Sequence, residues 1–414
     1  MSGAGRSVWR ASLALAGLLG FGLVLALAAA ELVLRLALPS PDRYYVYPPG
    51  LTQSFEPSPD LLPGVSGTSR FVVDSDGLRG DELEDGHAFR ILAVGGSTTQ
   101  CLYLDQDEAW PRRLQQLLAP PLAAGGRVWV GNAGKAGRRT REHVLQVRYL
   151  LRQIPDVDVL LLLVGANDVM MRLADGPRYD VPDLDDPAVV QGLIPRAFDR
   201  YPLDFGLLPP SRTALWTLPS RAKAAVKTLV YWDHLEDSRG SNYAVRRRER
   251  AEAPIVEELP DLASAVGEYL RNLEAIAADG HSHGARVILM TQPTAYREDL
   301  PEAHRRLLWM GQAGGSREGG ARAYYSVEAL ARAFRLFNAA LLASCPRLGV
   351  ECVDLESRIP KDTGALYDDM HFNEAGAERV ARILFEHLTG GPLVGKGGSV
   401  LASLNPAALR IQAP

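Results

Sequence analysis

Five apolar runs of strand length constrain this chain more than anything else in it. They read RILAV (Arg90 to Val94), RVWVG (Arg127 to Gly131), VDVLLLLV (Val157 to Val164), ARVILMT (Ala285 to Thr291) and VECVDL (Val350 to Leu355). The third is apolar at consecutive positions, so both faces of that strand must be covered, unlike a half-wet antiparallel strand with its alternating pattern. Helical patterns separate the runs, at about Trp110 to Leu118, Thr140 to Gln153, Leu259 to Ala278, Val327 to Ser344 and Glu374 to Leu388. Strands buried on both faces and alternating with helices predict a five-stranded parallel sheet between two helical layers, a three-layer α/β/α sandwich. With 414 residues, 47% of them hydrophobic, the chain suffices for one such large domain with extensions, or for two domains.

The first extension is N-terminal. Between Arg10 and Glu31 lie twenty residues without a charge, ASLALAGLLGFGLVLALAAA, which as a helix span roughly 30 Å, one hydrocarbon thickness. Residues 1–38 are expected to form a short cytoplasmic tail and an uncleaved transmembrane signal anchor. The alternative is a cleaved signal peptide, because Ala26-Leu27-Ala28 and Ala28-Ala29-Ala30 fit the small-x-small rule. Arg6 and Arg10 favour a cytoplasmic N-terminus, partly offset by Arg35 and Arg43, and so an extracytoplasmic body. Residues 39–70, rich in Pro, Ser, Gly and Tyr, read as a stalk or a strap. The alternation lapses again at about 170–258, an insertion read as a cap over the site, a membrane-resting surface or, preferred, an amphipathic segment packed on the host domain. Within it Arg246 to Arg248 reads as a solvated helix face. Residues 71–389 form the main domain, and 390–414 a flexible tail. A net charge of −4 gives no reason to expect a nucleic-acid partner. Of the three cysteines, Cys101 reads as a buried small residue. An oxidising compartment would permit Cys345 and Cys352 to pair.

In sheets of this kind ligands bind beyond the carboxyl ends of the strands, and the unusual residues collect there: GGST, NAGKAG and GAND follow the first three strands. Ser97 in GGST is a nucleophile only if a base takes its proton, a partner orients that base, and donors await the oxyanion. In YDDMHFNEAG, His371 lies three residues after Asp368, a spacing at which the carboxylate can accept from Nδ1 while Nε2 faces outwards. Asp369 is a competitor for the same imidazole. Gly137, in the loop after the second strand, lets a backbone N–H approach a ligand, and the Asn167 amide in GAND is a fixed two-proton donor. Other chemistries fit less well. GGSTT has no lysine and lacks phosphate-loop spacing, and NAGKAG has the wrong spacing for a dinucleotide fingerprint. His281 and His283 lack a companion ligand set and read as loop residues, and His143 as structural.

Ser97, Gly137, Asn167 and His371, in this order and each at a strand end, resemble the four signature blocks of the SGNH hydrolases, the GDSL esterase and lipase family. The resemblance runs from about Asp74 to Leu388, including SDGLRG (Ser75 to Gly80) and ILMTQP (Ile288 to Pro293). It implies a flavodoxin-like hydrolase fold with no metal and no cofactor. It also implies Ser97 as nucleophile, His371 as general base and Asp368 as its orienting partner, with the Ser97 and Gly137 amides and the Asn167 side chain as the oxyanion hole. The chain departs from the family spelling: Gly96 replaces the aspartate and Thr98 the leucine. The GGST variant resembles that of membrane-anchored bacterial members. The resulting expectation is a membrane-anchored serine esterase acting on short acyl esters of a carbohydrate or envelope component. Two alternatives are an O-acyltransferase using the same residues and a catalytically silent tethered binding protein.

Overall fold

The computed structural model describes residues 3–37, 41–122, 127–202, 215, 238–314, 322–390, 393–394 and 400–402. The chain divides into two compact units. One comprises Met1–Arg43 with Tyr201–Leu235, the other Tyr44–Arg200 with Glu236–Pro414. In the first unit, helix α1 (Gly3–Ala37) contains an apolar stretch, Leu13–Leu34, of mean hydropathy 2.4, long and apolar enough to cross a membrane. The segment Arg212 to Trp232, part of the expected insertion, lies outside the described residues except for Leu215, whose amide donates to Glu31 Oε2 at 2.9 Å.

The second unit opens with a hairpin, β1 (Thr52–Phe55) and β2 (Ser69–Val72), paired antiparallel. Residues 44–72 are fastened to the domain, for Val46, Tyr47, Phe55, Leu62 and Val65 are buried. The sheet follows, with β3 (His87–Gly95), β4 (Arg127–Asn132), β5 (Val159–Leu163), β7 (Arg286–Met290) and β9 (Glu351–Val353). All pairings are parallel and the order is β4-β3-β5-β7-β9. Two further short strands, β6 (Ile255–Val256) and β8 (Tyr324–Tyr325), pair with each other in parallel as a separate sheet. As VDVLLLLV predicts, every residue of β5 is buried. A last antiparallel pair, β10 (Leu393–Val394) and β11 (Val400–Ala402), falls in the expected tail, the rest of which after Gly390 lies outside the described residues.

After the four-residue α2 (Ser97–Gln100), helix α3 (Trp110–Leu122) links β3 to β4, and α4 (Thr140–Gln153) links β4 to β5. These two crossovers run in opposite directions across the sheet. Right-handed connections therefore put α3 on one face and α4 on the other. Helices α5 (Ala166–Asp175), α6 (Pro187–Ala197), α7 (Ser241–Ala251) and α8 (Ala263–Ser282) precede β7. The short α9 (Glu302–Arg305) and α10 (Val327–Leu348) precede β9, and α11 (Glu374–Thr389) closes the domain against α3. Helix α8 packs between α4 and α10 on the opposite face. The direction of winding reverses at β3, so a crevice opens at its carboxyl end. Ser97 stands there.

The basic run in α7 is more than a solvated face. Arg247 is half-buried and donates to the carbonyls of Leu61, Leu307 and Tyr367, while buried Arg250 donates to those of Met310 and Tyr325. A guanidinium presents five donors in a fixed fork, which suits it to tie several loops together. Cys345, near the end of α10, is disulfide-bonded to Cys352 in β9, with Cα atoms 6.3 Å apart. Cys101 is buried and free.

Candidate active site

The strand-to-helix bend at Gly95-Gly96-Ser97 has no room for side chains at its first two positions. A Cβ on Gly95 would lie 2.4 Å from the Leu163 carbonyl, and one on Gly96 would lie 2.6 Å from Asn167 Nδ2. Small residues are needed here because β5 and the Asn167 amide press against the turn. Ser97 then begins α2, where a helix-start N–H lacks an intrahelical acceptor. The turn is held from beyond by the Cys101 N–H, which donates to the Ser97 carbonyl at 3.0 Å with Cys101 in the left-handed region (φ 53°). Fully buried Arg79, from the SDGLRG block, donates to the carbonyls of Gln100, Cys101 and Leu104.

His371 arrives from the far end of the chain. Its Nε2 is 2.7 Å from Ser97 Oγ, and its Nδ1 is 2.7 Å from Asp368 Oδ2. Asp368 is wholly buried. Its Oδ1 accepts the Met370 and His371 amides at 2.9 and 2.8 Å, and its Oδ2 also accepts the Trp309 indole N–H at 2.8 Å. Burial alone would push this carboxyl up, but the His371 charge and these donors outweigh it and hold Asp368 below the ordinary carboxylate range. Its neighbour Asp369 points elsewhere, accepting from the Tyr296 hydroxyl at 2.7 Å and the Trp309 amide at 2.9 Å. Burial, and then the charge on Asp368, raise Asp369. Of the two adjacent aspartates, the geometry pairs Asp368 with the imidazole, as the three-residue spacing suggests.

Asn167 lies in the first turn of α5, and its Nδ2 donates one proton to the Arg138 carbonyl at 2.9 Å. Its second proton has no acceptor among the described residues. Gly137, next to Arg138, has φ +71°, and a Cβ there would meet nothing within 4 Å. Its N–H donates to no protein acceptor among the described residues. Ser97, Asp368 and His371 are thus directly linked. Asn167 meets them through Gly96, and Gly137 through the Arg138–Asn167 bond.

Several residues of the site carry little or no sequence signal. Asp168 follows Asn167, is buried, and accepts the Thr140 amide and hydroxyl, tying the start of α5 to the start of α4. Burial pushes it up to about 6. An acidic residue at a helix start is the single clue to it. Trp309 and His304, whose Nε2 is 3.1 Å from the Asp368 carbonyl, come from a stretch with no periodic pattern. Buried His143 instead bonds Gln146 within α4, and burial lowers it. Among the described residues no group of three or more His, Cys, Asp or Glu is placed to hold a metal ion.

No curated protein matches the sequence. Solved structures similar to the chain include the psychrotrophic esterase EstA from Pseudoalteromonas sp., at 13% identity, covering 73% of this chain and 97% of that one, with a TM-score of 0.36. An acetylxylan esterase from Geobacillus stearothermophilus is 14% identical over 74% of this chain and 96% of its own, with a TM-score of 0.36. The family model described as GDSL-like lipase/acylhydrolase matches residues 93–379, well over half of the chain and every residue of the linked site. The chain therefore belongs to the GDSL-like lipase/acylhydrolase family and is an ester-hydrolysing enzyme of the SGNH type.

Proposed function

We propose that Ser97 attacks the ester carbonyl while His371 Nε2 takes its proton. Asp368 holds the imidazole in the tautomer that leaves Nε2 unprotonated and stabilises the imidazolium as it forms. The Ser97 and Gly137 N–H groups and the free proton of Asn167 receive the negative charge on the carbonyl oxygen. Collapse expels the alcohol, which takes its proton from His371. Water, activated by the same imidazole, then attacks the acyl-serine and releases the acid. The observation that carries this reading is the unbroken line from Ser97 Oγ through His371 to Asp368, with both links at 2.7 Å.

The site acts outside the cytoplasm, tethered by α1, on short acyl esters of a carbohydrate or envelope component. Two observations support the location: the apolar stretch Leu13–Leu34, and a disulfide of the kind that persists in oxidising compartments. The test is turnover of chromogenic esters, from acetyl to long acyl, by wild type and Ser97→Ala, with fluorophosphonate labelling in parallel. Ser97→Ala is expected to lose at least about 10⁴-fold in kcat and all labelling, and wild type to favour the shortest esters and release free acid. Equal turnover by the two proteins would refute the role of Ser97, and a preference for long chains would refute the substrate class.

A further inference from the structure

Asp368 receives a donor that the catalytic relay does not require. The Trp309 indole N–H reaches Oδ2 at 2.8 Å, the same oxygen that His371 Nδ1 meets at 2.7 Å. The indole and imidazole planes differ by 3°, with ring centroids 6.4 Å apart. Two N–H groups converging on one carboxylate oxygen from near-parallel rings fix the direction in which that oxygen faces the imidazole. Trp309 is itself held by the second aspartate, since Asp369 Oδ2 accepts the Trp309 backbone N–H at 2.9 Å and Oδ1 accepts from Met310 and Tyr296. Tyr243 packs edge-on against the indole, with centroids 5.5 Å apart, and Arg246 stands 4.6 Å over its ring. Segment, backbone and ring are therefore all fixed, which a side chain that merely filled space would not need.

We propose that Trp309 is a positioning residue for the ester-hydrolysing site, setting the orientation and basicity of Asp368 through its indole N–H, and that Asp369 anchors it. The proposal rests on the reading of Ser97, His371 and Asp368 as the catalytic relay. Its chemistry is that of a carboxylate with four donors. Remove the indole N–H, and the negative charge on Oδ2 is shared with one donor fewer. The carboxylate then becomes more basic and stabilises the imidazolium of His371 more strongly. At the same time the imidazole loses a guide to its orientation. The charged and titratable groups around the pair are His304 at the Asp368 carbonyl, Arg247 at the Tyr367 carbonyl, Arg246 and Tyr243 against the indole, Asp369, Arg250, Tyr296 and Tyr367, none of which is substituted in the test.

The test uses the full chain in detergent and compares wild type, Ser97→Ala and Trp309→Phe. A fourth protein carries benzothienylalanine at 309, in which sulfur replaces the N–H at nearly constant shape and keeps the test decisive if Trp309→Phe fails to fold. Both 309 variants are expected to lose about tenfold or more in kcat, the scale of one hydrogen bond to a charged group, with KM within about twofold. The acid limb of the kcat/KM profile should move to higher pH, and the downfield proton resonance of His371 Nδ1 should shift. Unchanged kcat and an unmoved limb in a folded benzothienylalanine protein would overturn the role of Trp309. The same holds if kcat falls while limb and resonance stay put, because that is a packing effect. Loss of activity in Ser97→Ala alongside such a result leaves the relay standing, whereas full activity in Ser97→Ala removes the relay itself.

Discussion

Asp74 and Asp368 are both buried carboxyl groups, and their surroundings send them in opposite directions. Asp368 has donors on both oxygens and an imidazole within reach. Asp74, in the turn before β3, accepts the Asp76 and Leu78 amides on Oδ1 alone, and its buried Oδ2 has no partner among the described residues. Burial therefore dominates and pushes Asp74 up to about 7 from its ordinary value of 3.8. A raised carboxyl contributes its full stability below the unfolded value and loses it as pH climbs through the folded one. The window is thus about pH 4 to 7. Asp74→Asn keeps the Oδ1 acceptor and cannot ionise. Its melting temperature relative to wild type should climb steadily between those pH values, as thermal scans in matched buffers would read. A flat difference would mean that Asp74 is ionised in the folded protein throughout.

Among the elements, the five sheet strands and the helices beginning at Trp110, Thr140, Val327 and Glu374 begin within three residues of where the sequence pattern puts them. They were legible because burial on both faces leaves an unmistakable apolar run and a covering helix leaves a 3.6-residue stripe. The β1–β2 hairpin, α6 and α7 were not, since short elements on a domain surface carry little periodicity. Three-residue spacing marked Asp368 and His371, yet the donors from 309 arrive through a fold no local pattern encodes. Helix α11 shows how tightly an element can depend on one position. Its Asn373 cap accepts the Gly376 amide at 2.9 Å, and a Cβ on Gly376 would lie 2.0 Å from the Ala365 carbonyl oxygen. Because that obstacle is backbone, it cannot rotate aside. Gly376→Ala should cost about 1–3 kcal/mol of stability by chemical denaturation. Activity should fall too, as the segment between Ala365 and Phe372 carries Asp368.

At the scale of the whole molecule, groups near positions 97, 137, 167, 309 and 370 gather beyond the carboxyl end of β3. Such gathering makes the spelling at one place answerable to a residue far along the chain. The family spelling that this chain departs from has aspartate where this chain has Gly96, and restoring that letter looks harmless on paper. Here it would drive a carbon atom into the space of the Asn167 amide, 2.6 Å away. The amide is the movable party, so the protein should fold normally with Gly96→Asp yet turn over esters some 10² to 10³ times more slowly, the cost of losing one oxyanion donor. Steady-state kinetics beside a melting curve would tell the two effects apart. The family spelling is, in this molecule, a misprint.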